Sequence, residues 1–230
     1  MRLRRNLSAA EIIEQFLVVQ QHTERRITNV VLMGMGEPLL NYSAVRQALQ
    51  HFLNPWFPLL GARRLTLSTA GIVPRILRLA DEPFRIKLAL SLHATTDALR
   101  SQLMPINRKW NIAQLLQAAE QYYRKTRVPI TFEYILFDQL NDSRQDARRL
   151  ARFTRRFPSK VNIIPFHPID FVHPQGLAAQ LRPSTPERFN QFVQWLRSEN
   201  VVVMVRSSSG KEIYAACGQL ALSSVAAAVR

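Results

Sequence analysis

Asn29-Val30-Val31-Leu32-Met33-Gly34-Met35-Gly36-Glu37-Pro38-Leu39 is an apolar run that breaks into a glycine corner. Its first five residues predict a short strand, and a helix follows near Tyr42 to Leu53. The same strand, loop, helix rhythm extends in both directions. Upstream, Asn6-Leu7-Ser8 opens a helix with Ser8 and Glu11 spaced as a capping box and Ala9, Ile12, Ile13, Phe16 and Leu17 on one face. Downstream, strands are predicted over Leu65 to Ser68, Lys87 to Leu92, Thr131 to Phe137, Lys160 to Ile164 and Val201 to Arg206. Helices are predicted over Val73 to Ala80, after the cap Asn111, over Ser143 to Phe157 and over Glu187 to Glu199, the last with Phe189, Phe192, Val193 and Leu196 inward.

Strands that alternate with helices imply right-handed crossovers and a mainly parallel α/β sheet. No repeat, low-complexity tract or linker divides the chain, so residues 1–230 read as one domain. Periodicity leaves two architectures open, a doubly wound sheet and a partial barrel. In both, ligands bind at the carboxyl ends of the strands. The chain has only seven glycines. Gly34 and Gly36 follow the first strand, Gly71 follows the second, and Gly210 and Gly218 flank the segment after the last. Their placement points to backbone kept bare for a ligand.

Composition sets the boundaries. With 230 residues, 47% hydrophobic and 20% charged, the chain is globular and long enough for a substantial core. No apolar stretch approaches the roughly 20 residues of a membrane span. The basic start Met1-Arg2-Leu3-Arg4-Arg5 lacks the apolar run of a secretory signal, so the expected location is the cytoplasm. One cysteine, Cys217, excludes an internal disulfide and a cysteine-based metal site made by this chain alone; the expected metal ligands are none. Thirty-one Lys and Arg against sixteen Asp and Glu give a net charge of +15. Such a field draws polyanions, and the arginine excess suits phosphate pairing and base stacking.

Each motif has a chemical and a plain reading. Gly34-Met35-Gly36-Glu37 lacks the third glycine of a dinucleotide fingerprint and the Lys-Ser/Thr of a phosphate loop, and Glu37 would repel a phosphate. A glycine corner presenting a carboxylate suits a cation, such as the ammonium of an amino-acid-like ligand; the plain reading is a turn with a solvated glutamate. Ser68 and Thr69 end a strand as ligand contacts or as helix caps. Ser91-Leu92-His93-Ala94 repeats the theme with a histidine, which is either a ligand contact or structural. Two prolines around Phe166-His167 fix that backbone for presentation of His167 or merely rigidify a loop. Glu133, between Phe132 and Tyr134, points into a barrel or is a buried partnered carboxylate. Cys217 is an inert core thiol or sits on an exposed loop. Arg144, Arg148, Arg152 and Arg155, with Arg149 and Arg156, form a solvated helix face or an RNA-facing flank.

Taken in order, Gly34-Met35-Gly36-Glu37-Pro38-Leu39, Leu67-Ser68-Thr69, Ser91-Leu92-His93-Ala94, Met104-Pro105-Ile106-Asn107, Asn141-Asp142-Ser143 and Ala215-Ala216-Cys217-Gly218-Gln219-Leu220 resemble the radical S-adenosylmethionine rRNA adenine C2-methyltransferases. The likeness runs from about Asn6 to Leu220, leaving residues 221–230 as a tail. It implies a partial (β/α)6 barrel that binds S-adenosylmethionine at its open top. Gly36 and Glu37 would meet the methionine end, with Ser68, Ser91, Leu92 and His93 around the rest, and His167 where the family has an asparagine. Cys217 would be the cysteine that is methylated and carries the methyl group, whose hydrogen a 5′-deoxyadenosyl radical then removes. The implied partners are rRNA, with tRNA as a second substrate, and a reductant; no membrane is implied, and a monomer is expected.

The family's Cys-x3-Cys-x2-Cys loop, which holds a 4Fe-4S cluster, lies upstream of Asn6 in that likeness. Its first strand, N-terminal RNA-binding domain, acid/base glutamate and second cysteine have no counterpart in these residues, and Tyr214 replaces an aspartate. The sequence is therefore expected to be an N-terminally truncated relative without its first barrel strand, inactive alone for want of cluster ligands. The alternative is a non-catalytic basic RNA-binding module on the same fold. A phosphate-binding barrel enzyme is disfavoured by Glu37.

Overall fold

The computed structural model describes residues 5–56, 59–168 and 175–206. Six strands form one sheet: β1 (Val30–Leu32), β2 (Leu65–Thr69), β3 (Lys87–Ser91), β4 (Ile130–Leu136), β5 (Ser159–Pro165) and β6 (Val203–Val205). Seven α-helices accompany them: α1 (Ala9–Gln21), α2 (Tyr42–Phe52), α3 (Val73–Asp81), α4 (Asp97–Leu103), α5 (Ile112–Thr126), α6 (Arg144–Thr154) and α7 (Pro186–Ser198).

Every strand pair is parallel, and the order across the sheet is the order along the chain, β1 to β6. A doubly wound sheet reverses its order at a switch point. Here nothing reverses, so each right-handed crossover returns its helix to the same face. Of the two architectures left open by periodicity, the winding is that of a (β/α) barrel, and the sheet is open between β1 and β6 among the described residues.

The two faces follow from the pleat, which sends alternate side chains to opposite sides. On one face Leu65, Leu67, Leu88, Leu90, Ile130, Phe132, Tyr134, Val161 and Ile163 are buried in one continuous core with α2, α3, α5, α6 and α7. Tyr134 stacks on Phe192 of α7, with ring centroids 5.8 Å apart. On the other face stand Thr66 and Ser68, Ala89 and Ser91, Thr131 and Glu133, then Asn162, with Ser68 opposite Ala89, Ser91 opposite Glu133 and Glu133 opposite Asn162. That face carries these polar side chains alongside Val31, Ile135, Ile164 and Met204, and in a barrel winding it is the inner one.

Local signals set the helix starts. Ser8 with Glu11, Asn111 with Gln114 and Ser143 with Asp146 each form a capping box, satisfying first-turn amides that have no partner within the helix. Three expectations need correction. Leu17 is not inward but 44% exposed, because α1 packs on α2 beyond the sheet edge and has no fully buried residue. The arginine-rich helix ends at Thr154, with Ser143 as its cap rather than its first residue. Helix α4 was not anticipated; Thr96 caps it by accepting the N–H of Leu99.

Candidate functional site

The carboxyl ends of β1, β2, β3 and β4 lie along one rim, and a buried arginine ties those of β2 and β3 together. Arg100 of α4 is fully buried. It donates from Nη2 to the carbonyls of Ala70 (2.8 Å) and Ser91 (3.0 Å), from Nε to Leu92 (3.2 Å) and from Nη1 to Asn107 Oδ1 (2.9 Å). Among the described residues no carboxylate forms an ion pair with it. Burial pulls its pKa down to about 10, with Asp97 opposing, so the cation persists at neutral pH. The carbonyls left unpaired where β2 and β3 stop supply the compensation that a buried charge requires. Asn107 is held in turn by donating to Asp97 and Ser101. Gly71 completes the fit: at φ +110 it is in the left-handed half of conformational space, and a Cβ there would sit 3.0 Å from Leu115 Cδ1.

Glu37 fastens the glycine corner to the next strand. Oε1 accepts the N–H of Leu39 (3.0 Å) and Oε2 that of Ala70 (2.6 Å). Each oxygen keeps a second lone pair, and the side chain is half-buried, so a cation can still approach. Gly36 precedes it at φ +86 with open space where a Cβ would be. The glycine is required here by conformation, not by crowding.

His93, at φ +55, caps the end of β3. Its Nδ1 accepts the N–H of Ile135 at 3.1 Å, so the ring carries its proton on Nε2 as a donor. Burial, then the Arg100 charge, pushes its pKa down to about 4. Asn141 secures the same corner, donating to the carbonyls of His93 and Ile135 and accepting the N–H of Phe137. Tyr134 donates its hydroxyl to the Asn141 carbonyl at 2.9 Å.

Ser68 and Ser91 are half-buried on the polar inner face. Neither Ser68 nor Thr69 caps α3, whose cap Ile72 makes no side-chain bond; Thr69 Oγ1 accepts the N–H of Gly71 instead. Leu92 faces the other way. Its side chain lies in the core, its N–H donates to the Glu133 carbonyl and its own carbonyl accepts Arg100, so its share in the rim is through backbone alone. Glu133 is the carboxylate of the inner face, 6% exposed, with Oε2 accepting Asn162 Nδ2 at 2.7 Å. Burial raises its pKa, and Asn162, Arg206 and Lys160 pull the other way. Both readings of Glu133 hold at once: it is buried and partnered, and it faces inward.

His167 follows β5 and is half-buried, next to Phe166, whose ring packs 5.0 Å from that of Phe137. Cys217, Gly210, Tyr214 and Gly218 lie outside the described residues. Gly36, Glu37, Ser68, Ser91 and His93 are thus brought to one rim by adjacent strands. Arg100, Asn107 and Asn141 were missed as its organisers. Two of them lie in motifs already quoted, Met104-Pro105-Ile106-Asn107 and Asn141-Asp142-Ser143.

A rim of two hydroxyls, a neutral imidazole N–H and a carboxylate with free lone pairs suits a polar ligand with an ammonium and hydroxyl groups. Among the described residues, no helix is long and apolar enough to cross a membrane.

The chain is similar to known proteins over nearly its whole length. The chain is 46% identical over 218 residues to the probable dual-specificity RNA methyltransferase RlmN of Symbiobacterium thermophilum, covering 94% of this chain and 57% of that one. It is 44% identical over 229 residues to the dual-specificity RNA methyltransferase RlmN of Anaeromyxobacter sp., covering 96% of this chain and 59% of the other. The chain therefore spans little more than half the length of these relatives. Its fold matches the crystal structure of a radical SAM methyltransferase from Sphaerobacter thermophilus with a TM-score of 0.84 and 42% identity, over 94% of this chain and 62% of that one. The sequence profile of the Radical SAM superfamily matches residues 1–151, the segment that builds the glycine corner, the Arg100 clamp and the His93 corner. On that match, this chain belongs to the radical SAM superfamily.

Proposed function

We propose that the chain is the cofactor-binding barrel of an RNA methyltransferase that methylates adenine C2 in rRNA, with tRNA as a second substrate, in the cytoplasm and as a monomer. The observation that carries this reading is the polar rim of Glu37, Ser68, Ser91 and His93 at the carboxyl ends of neighbouring parallel strands.

The rim fits S-adenosylmethionine in its donor set. The free lone pairs of Glu37 match the ammonium, Gly36 lets the backbone approach, and the two serine hydroxyls with the His93 Nε2–H match the carboxylate and ribose hydroxyls. The fixed neutral state of His93 matters, because an imidazolium there would repel the sulfonium. The cofactor supplies a methyl group on a cationic sulfur, and Cys217 is assigned as the thiol that receives it. His167 is assigned to the cofactor as well, in the place of the family's asparagine.

The iron–sulfur cluster implied by the superfamily does not fit the residues present. The sequence holds one cysteine, and among the described residues no group of three His, Cys, Asp or Glu could hold a metal ion. The part of these 230 residues is to bind, orient and shield the cofactor. The second reading is a non-catalytic basic RNA-binding module, which the net charge of +15 favours.

Isothermal calorimetry with S-adenosylmethionine separates them. Saturable one-to-one binding is expected, weakened roughly tenfold to thirtyfold in a Ser68→Ala/Ser91→Ala double variant, for two lost hydrogen bonds at about 1 kcal/mol each. RNA binding without any response to S-adenosylmethionine would establish the second reading.

A further inference from the structure

The six arginines that read as one helix face are two chemically distinct groups. Arg149 donates to Thr95 Oγ1 (2.8 Å) and Asp146 Oδ1 (2.7 Å), Arg155 to Glu199 (2.6 Å) and Arg156 to Glu120 (3.0 Å). These three tie α6 to the β3 loop, to the end of α7 and to α5. Arg144, Arg148 and Arg152 are exposed and have no ion pair or hydrogen bond to any described residue. We propose that Arg144, Arg148 and Arg152 form a rail that binds successive phosphates of one RNA strand leaving the cofactor rim; this rests on the RNA-methyltransferase reading.

Geometry supports the rail in two ways. Residues four apart lie on one stripe of a helix and rise about 6 Å per step, which is the order of the spacing between neighbouring phosphates on a strand. The stripe starts at the rim, because α6 follows directly on Asn141, the residue that holds the His93 carbonyl.

Helix energetics point the same way. Arg144 is the first residue of α6, where the positive end of the helix dipole disfavours a cation. Like charges four apart also repel. The acid of the first turn, Asp146, does not offset them: it is buried and engaged by Ser143, Thr95 and Arg149. Three arginines held in this arrangement without a counterion among the described residues are matched by an external polyanion, and the arginine fork pairs two N–H groups with one phosphate.

The test measures binding of a fluorescein-labelled fifteen-nucleotide oligouridylate by anisotropy across a salt series, using the whole chain. The Arg144→Gln/Arg148→Gln/Arg152→Gln variant should bind roughly tenfold or more weakly at low salt, with the slope of log K against log salt reduced by about 2, as expected for three phosphate contacts on a single strand. An Arg25→Gln/Arg26→Gln/Arg108→Gln control removes the same charge from exposed positions elsewhere and should lose less than about threefold. The Arg→Lys triple variant at 144, 148 and 152 keeps the charge and should keep the wild-type salt slope, while losing part of the affinity with the two-pronged pairing. If circular dichroism shows the glutamine variant misfolded, Arg148→Gln and Arg152→Gln are read singly and should each lose about threefold. Equal losses in the rail and control variants would replace the rail with a diffuse field. Wild-type binding with an unaffected rail variant would overturn the rail and leave the RNA reading standing, whereas no RNA binding by the wild-type chain at low salt would overturn both.

Discussion

The helix-packed and inner faces of this sheet are built from the same strands, one residue apart, and do different work. Phe132 and Glu133 are adjacent in β4; the first is buried in the core against Phe157, and the second faces the polar side and accepts Asn162. In the first environment, stability comes from apolar area removed from water and close packing. In the second, groups that would rather be hydrated are kept in place by neighbours and retain free hydrogen-bonding capacity. The difference teaches that in a singly wound sheet the helix side determines whether the chain folds, and the other side determines what it binds.

The largest expected effect lies on the packed face. Phe132→Ala should lower the free energy of unfolding by about 4 kcal/mol in a denaturant titration. Its inner-face counterpart, Asn162→Ala, should cost about 1 kcal/mol, the ordinary value of one side-chain hydrogen bond. Equal costs would mean that the faces are not energetically distinct.

Arg100 sharpens the comparison, because it is a charge placed on the packed side to serve the rim. Arg100→Leu should destabilise the chain by about 3 kcal/mol, since it leaves the carbonyls of Ala70, Ser91 and Leu92 and the Asn107 side chain without their donor. A loss below about 1 kcal/mol would show that water can reach those carbonyls, and that the rim is looser than described.

The smallest effect is in pH dependence. His93 titrates near its ordinary 6.5 when unfolded and at about 4 in the native chain. Between those values the unfolded chain binds a proton that the native chain refuses, so the contribution of His93 to stability falls as pH drops from 6.5 towards 4. His93→Asn retains an acceptor at the Nδ1 position and tolerates the left-handed backbone, but cannot titrate. Its melting temperature should fall less than that of the wild type over the same acid range. The raised Glu133 acts in the opposite direction in both proteins and cancels in the difference. Parallel acid profiles would show that the native ring is not held neutral.

Much of the scaffold could be seen in the residues themselves. All six strands, the Ser8–Glu11 capping box and the Asn111 cap are readable from short-range patterns, because alternation and capping are local physics. Even the inner placement of Glu133 follows from its position between Phe132 and Tyr134. Strand order was not readable from periodicity, which carries no information about which neighbour a crossover selects; the partial barrel came from the motif resemblance, and the sheet order agrees with it. Arg100 was not readable either: an arginine becomes a core residue only when strand ends from elsewhere in the chain present their carbonyls to it. The split among the α6 arginines depends on Glu120, Glu199 and Thr95, which lie 36, 44 and 54 residues away from their partners in sequence.

The central claim is that the polar rim, not the helix-packed face, receives the cofactor. Amide chemical-shift mapping of the 15N-labelled chain on addition of S-adenosylmethionine tests it most directly. The account predicts saturable shifts concentrated at Gly36, Ala70, Ser91, His93 and Ile135, with Leu88, Phe132 and Val161 unmoved. Shifts confined to the outward surfaces of the helices, or no shifts at saturating cofactor, would contradict it.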